Sequence, residues 1–226
     1  DPGVMLRGGG LIVETHDVLV QHLTIRVGDD KNGSDPSSRG GITILGKRES
    51  YNLMFDHLTV SWAIDENINT WYRNVHDITF SNCIIAAALN NSIHPKGPHS
   101  KGALLGGGSK RISFIRNIFA HNADSNPFIT TGARVELVNN LIYGWGGQSK
   151  ASIINVTDSE QLNNDMELDL IGNIFKPSPE SMLDLPIVFA RPMSRRARLY
   201  IADNVVFLSP TSRDQKFLED QWQLVG

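Results

Sequence analysis

Several features are scarce in this chain of 226 residues, and each scarcity excludes a kind of bond or partner. It has one cysteine, Cys83, so it cannot form an internal disulfide, and the surrounding apolar run NCIIAAAL indicates a small core residue. No stretch approaches the roughly 20 apolar residues that span a bilayer. Basic residues do not cluster, and the net charge is −3. We therefore expect neither a membrane nor a nucleic acid as a partner.

The chain is rich instead in one repeated pattern. Seven segments alternate apolar and polar residues like a β-strand, carry Asn or His near the middle, and continue with a second apolar pair. The segments are 17–25, 52–60, 77–85, 112–120, 135–143, 168–176 and 199–207, and their central polar residues are His22, His57, Asn82, Asn117, Asn140, Asn173 and Asn204. Repeats of roughly 20 to 35 residues with one strand–bend–strand unit each indicate a solenoid.

The repeats predict an all-β fold, a parallel β-helix of about seven coils that spans 1–226 as a single domain. The recurring Asn suits a bend where side-chain amides lie in line and bond the backbone of the next coil. An antiparallel sandwich is the alternative, but it predicts tight Asn-Gly hairpins, and Asn32-Gly33 lies in a long polar loop. We expect an N-terminal cap to be missing before Asp1, and 210–226 to form a strap or a partial helix.

Solenoids carry their chemistry on loops that leave one face of the stack. The long loops that the sequence predicts are 29–41, 61–76, 87–109, 122–133 and 145–166. Three carboxylates, Asp56, Asp65 and Glu66, flank a predicted strand, although strands disfavour acidic residues. They suit a Ca²⁺ ion, which prefers oxygen ligands, or they are solvated turn residues.

Cations and aromatic rings lie near these carboxylates in the sequence. Two His and two Lys, namely His94, Lys96, His99 and Lys101, fall within eight residues of a Gly- and Pro-rich loop, which suits an anionic substrate or a solvated loop. Arg116 interrupts an apolar segment, so it projects outward or pairs with a carboxylate. Trp62 is a core anchor or a ring on which a sugar stacks.

Several strings resemble the pectate lyases of polysaccharide lyase family 1. The strings are DVLVQHLTIRVGDD, MFDHLTVSWAIDENI, ITFSNCIIAAALNNSIHPKGPHSKGALLGG, ISFIRNIFAHNADSNPFI and VNNLIYGWGG, in order over roughly residues 1–150. The resemblance implies a right-handed parallel β-helix. It also implies β-elimination on an acidic polysaccharide such as polygalacturonate, with Ca²⁺ as cofactor, in a secreted protein that works as a monomer.

The resemblance also suggests roles for particular residues. Asp65 and Glu66 fall where the family has acidic Ca²⁺ ligands, Asp56 matches its Asp-His pair, and Lys96 resembles its substrate-binding lysine. Together with the residue-level patterns, this predicts a metal site at Asp56, Asp65 and Glu66. Catalytic roles fall on Lys96 and Arg116, and substrate binding falls on His94, His99, Lys101 and Trp62.

The sequence departs from the family at its catalytic arginines. In AHNADSNPFITT, the residues Ser125, Phe128 and Thr130 stand where arginines are expected, and Gly40 and Gly41 stand where a further acidic ligand is expected. The resemblance therefore leaves three functions open. One is a lyase whose base is Arg116, Lys96 or a histidine, and another is a lyase-like protein that acts on a different acidic polysaccharide. The third is a catalytically inactive β-helix with a carbohydrate-binding or structural role, as in a fibre or tailspike.

Overall fold

The structure is a computed structural model that describes residues 3–130, 132–146, 151–155, 165–181, 187–189 and 197–217. Within these ranges it contains 23 β-strands and a short 3₁₀ helix at Pro36–Ser38. The strands are β1 (Val4–Arg7), β2 (Leu11–Val13), β3 (Val18–Gln21), β4 (Leu23–Arg26), β5 (Ile42–Ile44), β6 (Ser50–Asp56), β7 (Thr59–Ser61), β8 (Glu66–Thr70), β9 (Val75–Ser81), β10 (Ile84–Ala86), β11 (Lys101–Leu105), β12 (Lys110–Ile115), β13 (Ile118–Ala120), β14 (Phe128–Thr130), β15 (Arg134–Val138), β16 (Leu141–Tyr143), β17 (Ser152–Asn155), β18 (Met166–Ile171), β19 (Ile174–Lys176), β20 (Ile187–Phe189), β21 (Ala197–Ala202), β22 (Val205–Phe207) and β23 (Gln215–Phe217).

Each strand pairs with the third strand along the chain, which produces three parallel sheets. Sheet A runs β1-β4-β7-β10-β13-β16-β19-β22, with β23 added antiparallel at its end. Sheet B runs β2-β5-β8-β11-β14-β17-β20, and sheet C runs β3-β6-β9-β12-β15-β18-β21. Three strands per turn and seven turns make a right-handed parallel β-helix, which confirms the predicted fold.

The segment 210–226 was predicted to form a strap or a partial helix. Its described part includes β23, which pairs antiparallel with β22, and residues 218–226 lie outside the described residues. An N-terminal cap stays a prediction.

All seven repeat segments consist of a sheet C strand, a bend and a sheet A strand. Sheet B is where the sequence prediction was wrong, because β8, β11, β14 and β17 fall inside segments that were predicted as long loops. The sequence of β8, ENINT, hides its strand because Asn67 is fully buried and bonded inside the coil, where the alternating pattern expects an apolar residue.

Side chains that point into the coil stack directly on their counterparts in the next coil, because the strands are in register. Phe55, Phe80 and Phe114 are paired residues of β6, β9 and β12. Their rings stack with centroids 4.7 Å apart in both contacts. All three side chains are inaccessible to solvent, and burial of each contributes about 2 to 3 kcal/mol of transfer free energy.

The bend from sheet C to sheet A, which we call the C/A corner, uses the same backbone conformation in every coil. One residue there has a left-handed backbone with φ between 53° and 65°. These residues are His22, His57, Asn82, Arg116, Asn139, Gly172 and Asp203. Gly, Asn, Asp and His tolerate this region best, so the repeated polar residues mark the bend.

The residue after the bend forms the asparagine ladder, which consists of Asn117, Asn140, Asn173 and Asn204. All four are buried. Each Oδ1 accepts the backbone N–H of the preceding coil at 2.9 Å, and the amides bond one another at 2.9 to 3.1 Å. This confirms the predicted line of amides. The central polar residues of the seven repeat segments therefore occupy two different positions. His22, His57 and Asn82 are bend residues, one position before the place that the ladder asparagines occupy in later coils.

Candidate functional site

Charged side chains collect at the opposite end of sheet A, where each coil turns into sheet B. We call this turn the A/B corner. In consecutive coils it contains residues 62–65 between β7 and β8, 87–100 between β10 and β11, and 121–127 between β13 and β14. The loop 29–41 leaves the same corner one coil earlier. The predicted site residues can now be placed relative to this corner.

Three charged residues at the corner lie in one row along the solenoid axis. Lys101 is the register partner of Glu66 on one side and of Asp124 on the other. The ammonium of Lys101 donates to Asp124 Oδ2 at 2.5 Å. Adjacent strands lie about 4.8 Å apart, so the row alternates negative, positive and negative charge. Asp124 was not among the predicted site residues.

Glu66 is held against Asp65 in a partly dry environment. Its residue surface is 9 % exposed, and Asn69 Nδ2 approaches its Oε2 at 3.4 Å. Burial raises the pKa of Glu66 to about 8, and the negative charge and hydrogen bonding of Asp65 add to the rise. A carboxylate pair in this state either retains a proton or balances its charge with a cation.

The loop 87–100 folds back onto Asp65 through two histidines. His99 Nε2 lies 3.1 Å from Asp65 Oδ1, and His94 Nε2 lies 3.8 Å from the same oxygen. The two imidazoles stack in parallel with centroids 3.8 Å apart. Burial and then His99 lower the pKa of His94, and His94 Nδ1 accepts the Lys96 N–H. His94 therefore holds the loop beside Asp65 through its stacking on His99 and its hydrogen bond with the Lys96 backbone.

Lys96, a predicted catalytic residue, is exposed on this loop beside His94. Its backbone is anchored to the site, while its side chain faces solvent. The structure therefore brings Lys96, Lys101, His94 and His99 to the same corner as Asp65 and Glu66.

Asp56 is not part of this group. It lies at the C/A corner, and both of its oxygens are occupied. Oδ1 accepts from Ser81 Oγ at 2.6 Å and Asn82 Nδ2 at 2.9 Å. Oδ2 accepts from Gln21 Nε2 at 2.9 Å and lies 2.8 Å from His57 Nδ1. These bonds, that of Ser81 first, lower the pKa of Asp56. The prediction that Asp56 lies with Asp65 and Glu66 is corrected, because sheet A separates them.

Arg116 is also at the C/A corner, where it is the exposed bend residue between β12 and β13 with φ of 55°. The prediction that it projects outward agrees with this exposure. Arg116 does not lie beside the loop 87–109, because the length of β13 lies between them. At about 3.3 Å per strand residue, the five residues from Arg116 to His121 cover roughly 16 Å.

The positions expected to hold arginines are filled by side chains without charge. Ser125 is buried, and its hydroxyl donates to Asp124 Oδ1 at 2.7 Å. Thr130 is fully buried, and its Oγ1 accepts the Gly107 N–H at 3.3 Å. Phe128 is half-buried on β14 beside Leu104. The corner thus keeps its carboxylates and lysines, and these three positions add no cation.

Sequence reasoning missed two buried supports of the corner. Arg39 is 3 % exposed and donates to the backbone oxygens of Asp30 and Ser34, each at 2.9 Å, which holds the loop 29–41 closed. Its own carbonyl accepts the Asp65 N–H at 3.4 Å. The signal for Arg39 was weak, because a single Arg in a polar loop reads as a solvated charge.

The second support is a chain of buried amides beneath the row. Asn67 Nδ2 donates to Asn122 Oδ1 at 3.0 Å, and Asn122 Nδ2 donates to Asn126 Oδ1 at 2.9 Å. All three side chains are at most 2 % exposed. The repeated Asn in ENINT, AHN and SNP was the available signal, and it lies outside the seven repeat segments.

The donor atoms at the corner can be compared with the needs of a calcium ion. Calcium takes six to eight oxygen ligands. Asp65 and Glu66 offer adjacent carboxylates, and the raised pKa of Glu66 indicates that its negative charge is poorly balanced. These two residues fit Ca²⁺. In the preceding coil, Gly40 leaves no room for a side chain, because a Cβ there would lie 2.9 Å from the Glu66 carbonyl oxygen. Asp56 is excluded by its position.

Comparison with known proteins gives one consistent result. Probable pectate lyase C of Aspergillus flavus is 32 % identical over 182 residues, which are 79 % of this chain and 37 % of that protein. The protein of the same name from Aspergillus oryzae is 32 % identical over 176 residues, 76 % of this chain and 36 % of that protein. The chain is a pectate lyase-like protein. It spans a little over a third of the length of these relatives.

Two further findings complete the comparison. No family model matches the pectate lyase-like chain. Within the described residues, no helical segment has the length and apolarity that a membrane crossing requires. The assignment as a pectate lyase-like protein therefore rests on the parallel β-helix and on the relatives.

Proposed function

We propose that this pectate lyase-like protein binds an acidic, uronate-containing polysaccharide such as polygalacturonate along the A/B corner and cleaves it by β-elimination. The observation that carries the proposal is the row Glu66, Lys101 and Asp124 with Asp65 beside it. The row and Asp65 together have three carboxyl groups and one ammonium, so an acidic substrate would be held by Lys101 together with a cation at Asp65 and Glu66. The pectate lyase relatives support the same substrate class.

The chemistry explains why cations are needed. A base removes the proton on C5, the electron pair forms the C4–C5 double bond, and the C4–O bond to the next sugar breaks, with a proton delivered to the leaving oxygen. Removal of the C5 proton places negative charge beside a carboxylate that is already an anion. Positive groups at that carboxylate therefore lower the barrier.

The residues of the corner divide this work. Lys101, oriented by Asp124, faces the uronate, and Asp65 and Glu66 would hold Ca²⁺, which neutralises the uronate carboxylate when it is bound. Lys96 is the base that we propose, because it is exposed on the loop that covers Asp65, whereas Arg116 lies at the other corner. His94 and His99 hold this loop on Asp65.

The test is a cleavage assay on polygalacturonate and on other acidic polysaccharides, followed by the ultraviolet absorbance of unsaturated uronate. We expect product with Ca²⁺ and none with a chelator. Lys96→Ala should reduce the rate at least about 100-fold, which corresponds to about 2.7 kcal/mol of barrier. The matched control Lys110→Ala removes an exposed lysine from sheet C and should leave the rate unchanged.

A second function is favoured by one specific observation. Ser125, Phe128 and Thr130 place no cation where the family resemblance expects arginines. We therefore keep binding without cleavage as the alternative. Retained binding to acidic polysaccharide with no unsaturated product from any substrate would establish it, and loss of both binding and cleavage would reject both functions. Either function implies a polysaccharide partner. We propose that the protein is extracellular.

A further inference from the structure

We propose that Arg7, Arg26 and Trp62 form a second, anionic-sugar subsite that holds one uronate unit of the polysaccharide. It lies on the first coils, away from the row of Glu66, Lys101 and Asp124. The identity of the polymer rests on the proposed function, whereas the anion-binding character rests on the groove itself.

The subsite is a groove of about 420 Å³. Arg7 at the end of β1, Arg26 at the end of β4 and Trp62 after β7 line it, and Asp30 stands at its edge. Gly8 and Gly28 also line the groove, and a Cβ at either position would meet nothing within 4 Å. The groove is therefore open to a ligand from the solvent side.

Two cations face this groove, and Asp30 is the carboxylate among its lining residues. Arg7 and Arg26 are register partners, so their side chains leave neighbouring strands on the same face about 4.8 Å apart. Neither forms an ion pair with any residue in the described ranges. The Nε atom of Arg26 is buried and has no hydrogen-bond partner among the described residues, so a ligand would meet the terminal guanidinium nitrogens. Two adjacent guanidinium groups without an ion pair favour a carboxylate ligand, which can bind bidentately.

Trp62 supplies an aromatic surface beside these cations. The Arg26 guanidinium lies over its ring at 4.5 Å from the centroid, and 40 % of the residue stays exposed. Its backbone is left-handed with φ of 62°, a conformation that Ala87 and His121 share after the sheet A strand in the next two coils. The corner therefore sets the position of the Trp62 side chain. An aromatic wall with a few polar groups is the usual lining of a small-molecule site.

The position of the groove relates it to the candidate site. Trp62 and Asp65 lie in the same turn, and Arg26 and Arg7 lie one and two coils further toward the N-terminus. With about 4.8 Å per coil, the arginines continue the direction of the row Glu66, Lys101 and Asp124. A polysaccharide along the solenoid axis would place one uronate over the row and another between the arginines and Trp62.

The experiment measures equilibrium binding of a galacturonate hexasaccharide and of a neutral galactose hexasaccharide by calorimetry. We expect the wild type to bind the acidic hexasaccharide, with at least 10-fold weaker binding of the neutral one. The double variant Arg7→Gln/Arg26→Gln should lose at least 10-fold in affinity for the acidic sugar. The matched control Lys47→Gln/Arg48→Gln removes two exposed positive charges elsewhere and should change it less than 2-fold.

Two further measurements separate the contributions. Arg7→Gln alone changes an exposed side chain, so a loss of affinity in this variant cannot be due to misfolding. Trp62→Phe should remove the change in tryptophan fluorescence that the acidic hexasaccharide produces in the wild type. Inorganic sulfate that competes as well as free galacturonate would overturn the sugar assignment.

The outcome is independent of cleavage. Arginine-dependent binding in a wild-type protein that forms no unsaturated product would support the subsite and reject the proposed lyase activity. If the wild type cleaves the polysaccharide but Arg7→Gln/Arg26→Gln binds the acidic hexasaccharide with unchanged affinity, the subsite is rejected and the lyase activity is kept.

Discussion

The strands of sheet A lie between two corners whose polar residues differ in their contacts: those of one corner bond one another, and those of the other are less fully paired. At the C/A corner, each coil turns through one left-handed residue, and the asparagines that follow bond one another and the backbone of the adjacent coil. At the A/B corner, loops of unequal length replace this short bend, and burial beside Asp65 raises the pKa of Glu66.

The contrast separates structural from functional polar groups. Asp56 accepts hydrogen bonds at both oxygens from its own and neighbouring coils, so it stabilises the solenoid. Glu66 accepts a long hydrogen bond from Asn69 and lies against Asp65, and burial raises its pKa, so its charge is costly unless a ligand is bound. Residues that satisfy one another hold the fold, and residues left unsatisfied on an open face are candidates for binding.

The largest expected effect is the loss of one rung of the asparagine ladder. Asn140→Ala removes the acceptor of the Asn117 N–H and the donor to the Phe114 carbonyl, both at 2.9 Å, and leaves these groups buried and unpaired. We expect a loss of about 4 kcal/mol in the free energy of unfolding by urea denaturation. The control Asn139→Gly changes the adjacent exposed bend residue and should cost less than about 1 kcal/mol. Equal losses in both variants would remove the distinction.

Glu66→Gln tests the opposite corner. Because the Glu66 carboxylate has few partners in the protein, we expect the free energy of unfolding to change by less than about 1 kcal/mol. Cleavage and Ca²⁺ affinity should fall about 100-fold, or about 2.7 kcal/mol, as measured by product absorbance and calorimetry. Glu136→Gln, which removes an exposed carboxylate from sheet C, is the matched control. Unchanged Ca²⁺ affinity would remove Glu66 from the metal site.

Asp56→Asn should behave as a change to the fold. An amide cannot accept all the bonds that the Asp56 carboxylate accepts, so we expect a loss of about 2 kcal/mol at neutral pH. The pKa of Asp56 is lowered from 3.8 in the folded protein, so this stability is present above that value and is lost as the pH falls below it. Urea denaturation at neutral and acidic pH should show the two proteins converging. A change in Ca²⁺ affinity would contradict the structural role.

Cys83 stands where the asparagine ladder would continue by one coil. Its Sγ accepts the Leu58 N–H at 3.4 Å, and its thiol lies 3.1 Å from the Ser81 carbonyl oxygen and 3.5 Å from the Phe55 carbonyl oxygen, which is the counterpart of the acceptor that the ladder amides use. Cys83→Asn should therefore stabilise the protein by about 1 kcal/mol, and Cys83→Ala should destabilise it by a similar amount. Burial raises the pKa of the Cys83 thiol to about 11, so we also expect no reaction with thiol reagents before unfolding.

The smallest effect is expected at Asp77, near the beginning of β9 in sheet C and away from both corners. Hydrogen bonds from Arg111 lower the pKa of Asp77 to about 2, but both side chains are partly exposed. Asp77→Asn should cost less than about 1 kcal/mol at neutral pH. The cost should be present above about pH 4 and disappear as the pH falls through about 2, because the ion pair is then lost in both proteins.

Sequence patterns predicted one side of the coil much better than the other. The strand–bend–strand unit of sheets C and A recurs because each coil needs the same left-handed bend, and such residues as Asn117 and Asn140 are visible as repeats. Sheet B was not recognised at its central strands, because β8 begins with Glu66 and contains the buried Asn67, and β11 begins with Lys101. Polar residues at these positions serve the site and the amide chain, and they break the alternating pattern.

The sequence by itself determined the β-helix, the number of its coils, the amide ladder and the resemblance to pectate lyases, because these follow from local repeats and strings. Only the tertiary structure decided that Asp56 and Arg116 belong to the C/A corner and that Asp65, Glu66 and Lys101 share the A/B corner with Asp124. The reason is physical. Contacts between coils join residues about 23 to 35 positions apart, and the corner on which a residue falls depends on loop lengths that no local pattern encodes.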